Sequence, residues 1–225
     1  MGYTTTFEGR FNLDKPLTKE HSEYLQEFAK SRRMRRNESL TQGLEDRSRA
    51  AVGLLVGPEG CFYVGDADFG CVVDHNVPPT GQPGLWCQWV PSDDDQGIEW
   101  DGGEKFYNYT EWLKYLVKRF LAPWGYVLSG SVAWDGEDHS DRGTLVVRNN
   151  VVSTVTEQQK IDSLKFQALK QEQKKLGFES ALREILELKK NPIRRVQYAG
   201  SGGYKAPDWV ATAKYMAELA EHALK

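Results

Sequence analysis

Indole rings and carboxylates are interspersed in the stretch LWCQWVPSDDDQGIEWDGGEKF, which begins at residue 85. The face of an indole attracts guanidinium and ammonium groups, and carboxylates form ion pairs with the same groups. The stretch therefore predicts a binding site for a cation, or for a basic surface on another protein. The predicted site residues are Trp86, Asp93, Asp94, Asp95, Glu99, Trp100, Asp101 and Glu104.

The charge distribution favours the same interpretation. The formal net charge is only −3, yet residues 51–104 contain ten acidic side chains and no lysine or arginine. Residues 1–155 have an excess of acids, whereas residues 156–225 have an excess of bases. Such asymmetry indicates partners rather than a fold. We expect a protein partner with a basic surface, although a solvated acidic edge remains the alternative.

An enzymatic or small-ligand site is a second hypothesis for this region. Carboxylates such as Asp101, Glu104 or Asp74 beside Trp100 could perform acid–base chemistry in a pocket if burial raised the pKa of one of them. That would make the chain a small-ligand or nucleotide-binding protein, or a hydrolase. The sequence contains no phosphate loop, nucleophile elbow, dinucleotide fingerprint or HExxH motif. We therefore expect a binding protein rather than an enzyme, with no cofactor.

Two further acidic segments could hold a metal ion. The segment DGEDHSDRG, residues 135–143, has oxygen ligands close together but lacks the spacing of a calcium-binding loop, so we predict a polar hairpin. The segment DADFGCVVDH, residues 66–75, has no partner pattern of histidines. The cysteines Cys61, Cys71 and Cys87 show no metal-binding spacing, which favours reduced thiols in a cytoplasm. We expect no metal.

A basic run at residues 32–36 could contact phosphates. The alternative is a solvated end of the preceding helix, where positive charge is favourable to the helix dipole. We adopt this second interpretation and expect no nucleic-acid partner. The sequence has no run of the roughly 18 apolar residues that a membrane helix needs, and it has no secretory signal. We expect a protein of the cytoplasm without a membrane partner.

Periodicity predicts the elements that position these residues. Residues 3–11 alternate as a half-buried strand, and a helix with Thr18 as its N-cap follows. A second helix spans about residues 110–121 and ends before Pro123. Short apolar runs predict strands at residues 50–56, 61–65, 84–90 and 98–101. Three more strands follow residue 125, and Asn149-Asn150 forms the last hairpin turn.

These elements predict an α+β domain over residues 1–155, in which two helices pack on one side of an antiparallel sheet. Trp89, Trp112 and Trp134 fall on the apolar faces of their elements, which predicts a place in the core. Trp86 and Trp100 do not fit this pattern as well. They are for that reason the indoles assigned to function.

Helix-forming residues dominate residues 156–225, which we predict to be a separate helical extension. One helix is expected to end near Gly177, a second follows directly, and a third covers about residues 206–225. Their narrow apolar stripes need another surface to cover them. A helical hairpin or a coiled coil is expected; these helices could form a homo-oligomer, and the alternative is that they pack back on the sheet of their own chain.

Three tryptophan-rich motifs carry a resemblance: GQPGLWCQWVP, EWDGGEKFYNYTEWLKYLV and PWGYVLSGSVAWDGED. Together they resemble a family of small uncharacterised proteins of bacteriophages, prophages and bacteria. The resemblance covers roughly residues 1–155 and brings no activity with it. It implies a phage-type accessory protein in the bacterial host cytoplasm. Such a protein could inhibit a host defence by binding, and a structural or assembly role is the further alternative.

Overall fold

The computed structural model describes residues 2–44, 46–65, 70–138 and 140–190. The chain divides into two compact units, residues 1–160 and residues 161–225. The third helix expected near residues 206–225 lies outside the described residues. So do Asp66, Asp68 and His139 of the two acidic segments.

Nine strands occur in the described residues: β1 Thr5–Glu8, β2 Phe11–Leu13, β3 Arg35–Arg36, β4 Val72–Asp74, β5 Trp89–Pro91, β6 Gly97–Trp100, β7 Leu128–Gly136, β8 Arg142–Arg148 and β9 Val151–Thr156. Five α-helices occur there too: α1 Lys19–Lys30, α2 Glu38–Thr41, α3 Arg47–Ala51, α4 Tyr109–Leu116 and α5 Glu157–Lys190. A 3₁₀ turn covers Pro58–Gly60, and a π turn, Val117–Leu121, extends α4. The helix predicted at residues 110–121 is thus confirmed, as is the Thr18 cap, whose hydroxyl accepts the His21 amide.

Seven strands form one antiparallel sheet in the order β5-β6-β2-β7-β8-β9, and β1 pairs with β7 beyond the end of β2. The predicted first strand is divided in two because Gly9 has a φ of +104°, a conformation that favours glycine. The last hairpin is confirmed, since Asn149 and Asn150 both have positive φ, as a tight two-residue turn requires. β3 and β4 form a separate two-stranded sheet.

The core lies between one face of the large sheet and the helices α1 and α4. Tyr24, Leu25 and Phe28 of α1 are buried there, and so are Trp112 and Leu116 of α4. The sheet contributes Phe11, Ile98, Leu128, Val132 and Leu145, all fully buried. The α+β class with two helices packed on one side of an antiparallel sheet is confirmed. Trp89, Trp112 and Trp134 are buried, as predicted.

The strands predicted at residues 50–56 and 61–65 are wrong. Only Ala50 and Ala51 of the first segment are regular, as the end of helix α3, at whose start the Asp46 carboxylate accepts the Arg49 amide at 2.9 Å and the Val64 amide at 3.0 Å. Gly57 and Gly60 have positive φ, so the chain turns tightly between the two apolar runs. Neither run pairs with a strand among the described residues; Val52, Leu54, Phe62 and Val64 pack against the core, and Leu55 is exposed.

The basic run after α1 is not a solvated helix end, and that prediction is also wrong. Arg33 is only 2% exposed. Its guanidinium donates to the backbone oxygens of Tyr63 and Cys61, both at 2.8 Å, and to the Gln82 side chain at 3.2 Å. It also lies 4.1 Å from the centre of the Phe28 ring. Arg36 is buried as well, with its guanidinium over the Tyr63 ring.

The C-terminal extension begins directly after β9 as the continuous helix α5. Thr156 and Gln159 form a reciprocal cap, because each side chain accepts the other residue's amide hydrogen. The helix end predicted at Gly177 is wrong. Gly177 lacks the positive φ of a left-handed cap and lies in open space, where an interior glycine costs only about 1 kcal/mol.

Candidate binding surface

The β5–β6 hairpin positions most of the predicted site residues. Trp89 faces Trp100 across the two strands, and Val90 faces Glu99. Because side chains alternate along a strand, Trp100 shares the core face with buried Ile98. Its indole packs edge-on against Phe7 at 5.5 Å and stays half-exposed. Trp100 therefore forms the border between the core and the surface.

Gln88 connects the residues that follow β6 to those that precede β5. Its side-chain oxygen accepts the Trp100 indole hydrogen at 3.2 Å, and its side-chain nitrogen donates to the Glu104 backbone oxygen at 2.9 Å. Its own carbonyl accepts the Asp101 amide at 3.0 Å. One glutamine thus gathers Trp100, Asp101 and Glu104. Sequence reasoning missed Gln88, although an amide between Cys87 and Trp89 in an apolar run was the available signal.

Trp86 lies two positions before Gln88, and its indole is 43% exposed. The Arg32 guanidinium lies 5.9 Å from the centre of this ring. Arg32 is held there by hydrogen bonds to the His75 backbone oxygen at 2.9 Å and to the Asn76 side chain at 3.2 Å. We name the set of Trp86, Gln88, Trp100, Asp101 and Glu104 the Gln88 surface.

Asp93, Asp94 and Asp95 form the tip of the hairpin at its other end. Asp94 bonds to Ser92 and pairs with Arg10 at 2.9 Å, contacts that lower the pKa of its carboxyl to about 2. Asp95 accepts the Ser22 hydroxyl near the start of α1. Of the three, Asp94 and Asp95 therefore hold the hairpin in place, while Asp93 is solvent-exposed.

The eight predicted residues do not form one cluster. Asp101 lies six positions after Asp95, along strand β6, which corresponds to a distance of roughly 20 Å at about 3.3 Å per residue. Glu99 lies between the two groups, half-exposed on β6. The fold also brings cations from outside the acidic span, since Arg10 reaches the hairpin tip and Arg32 reaches the Gln88 surface. The acidic segment itself contains no lysine or arginine, but the folded chain places two arginines next to it.

A cavity of about 350 Å³ lies beside Asp101, between the end of α1 and strand β5. Its lining consists of Gln26, Ala29, Lys30, Val90, Pro91 and Asp101. Burial raises the pKa of the Asp101 carboxyl above its usual range, although the residue as a whole is exposed. Neither Trp100 nor Glu104 lines this cavity. The cavity therefore combines one carboxylate and one amine with apolar walls.

The acidic segment at residues 135–143 forms the hairpin turn between β7 and β8. Asp135 pairs with Arg142 at 2.7 Å, and Asp141 accepts the Tyr3 hydroxyl at 2.7 Å and the Trp134 indole hydrogen at 3.0 Å. These carboxylates connect the turn to the N-terminal strand and to the core. Within the described ranges, no three metal-ligating side chains come together.

Comparisons with protein-family models, with curated proteins and with solved structures find no match for this chain. In the part of the chain that the structure describes, no helix has the length and apolarity needed to cross a membrane.

Proposed function

We propose that this chain is a non-catalytic binding protein that recognises the basic surface of a protein partner through the Gln88 surface. The observation that supports this most strongly is the position of Arg32 over the exposed Trp86 ring. The protein thus already contains a guanidinium–indole contact of the kind that we propose for the partner. With 43% of the indole exposed, the ring remains accessible to a second guanidinium.

The acidic residues whose backbones contact Gln88 support an arginine-containing partner. The Asp101 amide and the Glu104 carbonyl are both hydrogen-bonded to Gln88, and both residues are exposed. A cation over an indole gains about 0.5–1 kcal/mol at exposed sites and more where water is excluded. Neighbouring carboxylates add attraction and steer the approach of the partner. Guanidinium groups are favoured over ammonium groups because they also stack on aromatic faces.

The biological setting that we propose rests on the tryptophan-rich motifs. Their resemblance to phage and prophage proteins suggests an accessory protein that acts in the cytoplasm of a bacterial host. Binding and blocking a host defence protein would suit such a chain, and the acidic Gln88 surface would then face a basic region of that target. A structural or assembly role in the phage remains the other proposal for this setting.

A matched pair of charge reversals tests the binding proposal. Glu104→Lys changes the Gln88 surface, whereas Asp93→Lys makes the same change in charge at the exposed hairpin tip. The probe is an arginine-rich peptide, titrated by calorimetry alongside a lysine-rich peptide of equal charge. We expect Trp86→Ala to weaken binding of the arginine-rich peptide by roughly threefold to thirtyfold. Glu104→Lys should weaken it more than Asp93→Lys does.

Equal binding by the wild-type chain, Trp86→Ala and Glu104→Lys would refute this proposal. Thermal unfolding of each variant controls for loss of fold, and none of the three changes affects a buried side chain. Once the peptide result is in hand, affinity capture from a bacterial lysate with the wild type and Glu104→Lys in parallel identifies the partner. Only a protein lost with Glu104→Lys and retained with Asp93→Lys qualifies.

We propose helix α5 as a second protein-contact element. Large apolar side chains are solvent-exposed along it: Ile161, Leu164, Phe166, Leu169, Leu176 and Phe178. Packing against another helix would remove them from water, which stabilises a complex by about 25 cal/mol per Å² of apolar area. Coiled-coil pairing with the helix of a second copy is the arrangement proposed from the sequence. Leu164→Glu should abolish it, as measured by sedimentation equilibrium.

The cavity beside Asp101 supports a second candidate function, the binding of a small ligand that contains an amine and an acid. Asp101 would pair with the amine and Lys30 with the acid, while Val90 and Pro91 contact the apolar part. Its volume of about 350 Å³ falls within the range of ligand pockets. A thermal-shift screen of amino acids and nucleotides tests this proposal. Stabilisation that disappears in Asp101→Asn supports it, and a flat screen refutes it.

A further inference from the structure

The two outer strands of the seven-stranded sheet are protected to very different degrees. Each packs against a helix, β5 against α1 and β9 against α4, but β5 is only three residues long and ends at Pro91. β9 is six residues long, with the sequence VVSTVT, and pairs with β8 alone in the described part of the sheet. It contains no charge, no proline and no register shift. Natural proteins use these devices to prevent open strands from pairing with other chains.

The hairpin turn determines which backbone groups of β9 are open. In the two-residue turn, the Val151 amide faces the Arg148 carbonyl, so these two residues form a hydrogen-bonded pair. Hydrogen-bonded and non-hydrogen-bonded pairs alternate along an antiparallel ladder. The amide and carbonyl groups of Val152, Thr154 and Thr156 therefore point away from β8. The Thr156 amide agrees with this assignment, because it donates to Gln159 at 3.0 Å instead of to a strand.

The side chains of β9 leave this edge accessible. Val151 is 68% exposed, and Ser153 and Thr154 are exposed too. Val152 packs against the core, so the strand is held in its extended conformation by β8 and by the core. Among the described residues no group bonds to the outward amides and carbonyls of Val152 and Thr154, so this uncharged strand is a ready template for one more strand.

We propose that β9 pairs antiparallel with β9 of a second copy, which joins two seven-stranded sheets across a two-fold axis. A second copy suits this edge because each strand presents to the other the same donors and acceptors, and because an uncharged strand does not repel itself. Only residues with open backbone groups can form hydrogen-bonded pairs. Since Thr156 is already capped, Val152 of one copy faces Thr154 of the other, and Ser153 lies at the axis opposite its counterpart.

The strength of this contact follows from its size. One strand from each copy buries less than the roughly 1,200 Å² of a standard interface. The dimer should therefore dissociate on dilution, and sedimentation equilibrium over a wide range of concentration will measure it. This contact is distinct from the coiled coil proposed for α5, and its test does not depend on any partner of the Gln88 surface.

Two substitutions at Thr154 test the proposal on the full chain. Thr154→Lys places two like charges diagonally across the axis, roughly 7–8 Å apart, and should weaken dimerisation about twofold to fivefold. Thr154→Pro removes an amide hydrogen that only a second copy uses, and leaves the bonds to β8 in place. Val73→Lys is the matched control, because Val73 is 60% exposed on a strand outside the large sheet. It should leave the dissociation constant unchanged.

Disulfide crosslinking tests the register. Residues that face each other in a non-hydrogen-bonded pair have Cα atoms about 4.5 Å apart, within reach of a disulfide. Ser153→Cys should therefore form a covalent dimer under mild oxidation, whereas Ser131→Cys on the exposed face of β7 should not. The native thiols will not interfere, since Cys61, Cys71 and Cys87 are all buried. A chain that is monomeric at every concentration overturns the proposal. So does a dimer that is unaffected by Thr154→Pro and dissociates with Leu164→Glu.

Discussion

Replacing Arg33 is the sharpest test of how the first unit holds together. The segment 61–65 forms no strand, so its carbonyl groups need other donors. The Arg33 guanidinium supplies two of them, to Cys61 and Tyr63, and a third hydrogen bond to Gln82. Arg33→Met keeps an unbranched, flexible side chain, although a shorter one, and removes all donors. Arg33→Lys keeps the charge but loses the planar fork that reaches three acceptors.

The magnitude follows from which acceptors lose their partners. The Cys61 oxygen keeps the Gln82 side-chain amide at 2.6 Å, so Arg33→Met leaves the Tyr63 oxygen and the Gln82 oxygen unsatisfied. Each unsatisfied buried group costs about 1–3 kcal/mol. Burial lowers the pKa of Arg33 because the charged guanidinium is desolvated. Removing that charge therefore offsets part of the free energy lost with the hydrogen bonds. We therefore expect Arg33→Met to lower the free energy of unfolding by about 2–3 kcal/mol.

Arg33→Lys should cost more, about 3–5 kcal/mol, because it leaves a strongly hydrated ammonium buried without enough acceptors in reach. Arg32→Met is the control. Water can replace its exposed hydrogen bonds, so we expect a change within about 1 kcal/mol. Urea unfolding followed by tryptophan fluorescence measures all three. Arg33→Met should also lower Tm by roughly 5–10 °C. The reasoning fails if Arg33→Met and Arg32→Met unfold alike, or if Arg33→Lys is as stable as the wild type.

Three further predictions concern the sheet, its last turn and the pH dependence of stability. Gly143→Ala should lower the free energy of unfolding by about 2 kcal/mol or more, because a Cβ there would meet the Trp134 ring and lie 2.7 Å from the Val155 oxygen. Thermal unfolding measures this effect, and an unchanged Tm would contradict the packing described. Asn150→Gly should lower the free energy of unfolding by about 1–2 kcal/mol, because the Asn150 side chain accepts the Leu128 amide and donates to the Tyr126 carbonyl. Asn149→Gly should be neutral or stabilising. Equal urea midpoints for the two variants would count against a stabilising role of the Asn150 side chain. Burial lowers the pKa of His21, so protons bind the unfolded chain more tightly. Stability should fall as pH decreases below about 6.5, and Tm of His21→Gln should fall less steeply with pH than that of the wild type.

The sequence predicted the parts of the fold in which local pattern and tertiary packing agree. The periodicity of Trp112 and Leu116 indicated the second core helix, and the Asn149-Asn150 turn indicated the last hairpin. The two wrong strands and the wrong interpretation of the basic run have a common cause. Apolar residues at 61–65 look like a strand only if a strand partner is assumed, and Arg33 looks solvated only if no acceptor is assumed. Their mutual hydrogen bonding connects residues about 30 positions apart, which no local pattern reveals.

The candidate site was predictable in composition but not in geometry. Trp100, Asp101 and Glu104 all contact Gln88, whereas the contact described for Trp86 is with Arg32, and a binding role for these residues stays a prediction. Gln88 was missed because a single glutamine has no distinctive spacing, and its role depends on the register of two strands. The prediction also assigned all three aspartates of the hairpin tip to binding, for a related reason. The contacts of Asp94 with Arg10 and of Asp95 with Ser22 join segments that are more than 70 residues apart in sequence.

The central position of the N-terminal strands has a consequence for synthesis of the chain. Phe11 pairs with Gly130, and Thr5 pairs with Gly136, so the first strands to be made need a partner that is translated about 120 residues later. At roughly 5–20 residues per second, this wait lasts about 6–24 seconds. Until β7 is made, β2 can pair only with β6, and β1 has no partner in the sheet. A ribosome that stops before β7 would release a chain unable to complete its sheet, and such products should be degraded rapidly.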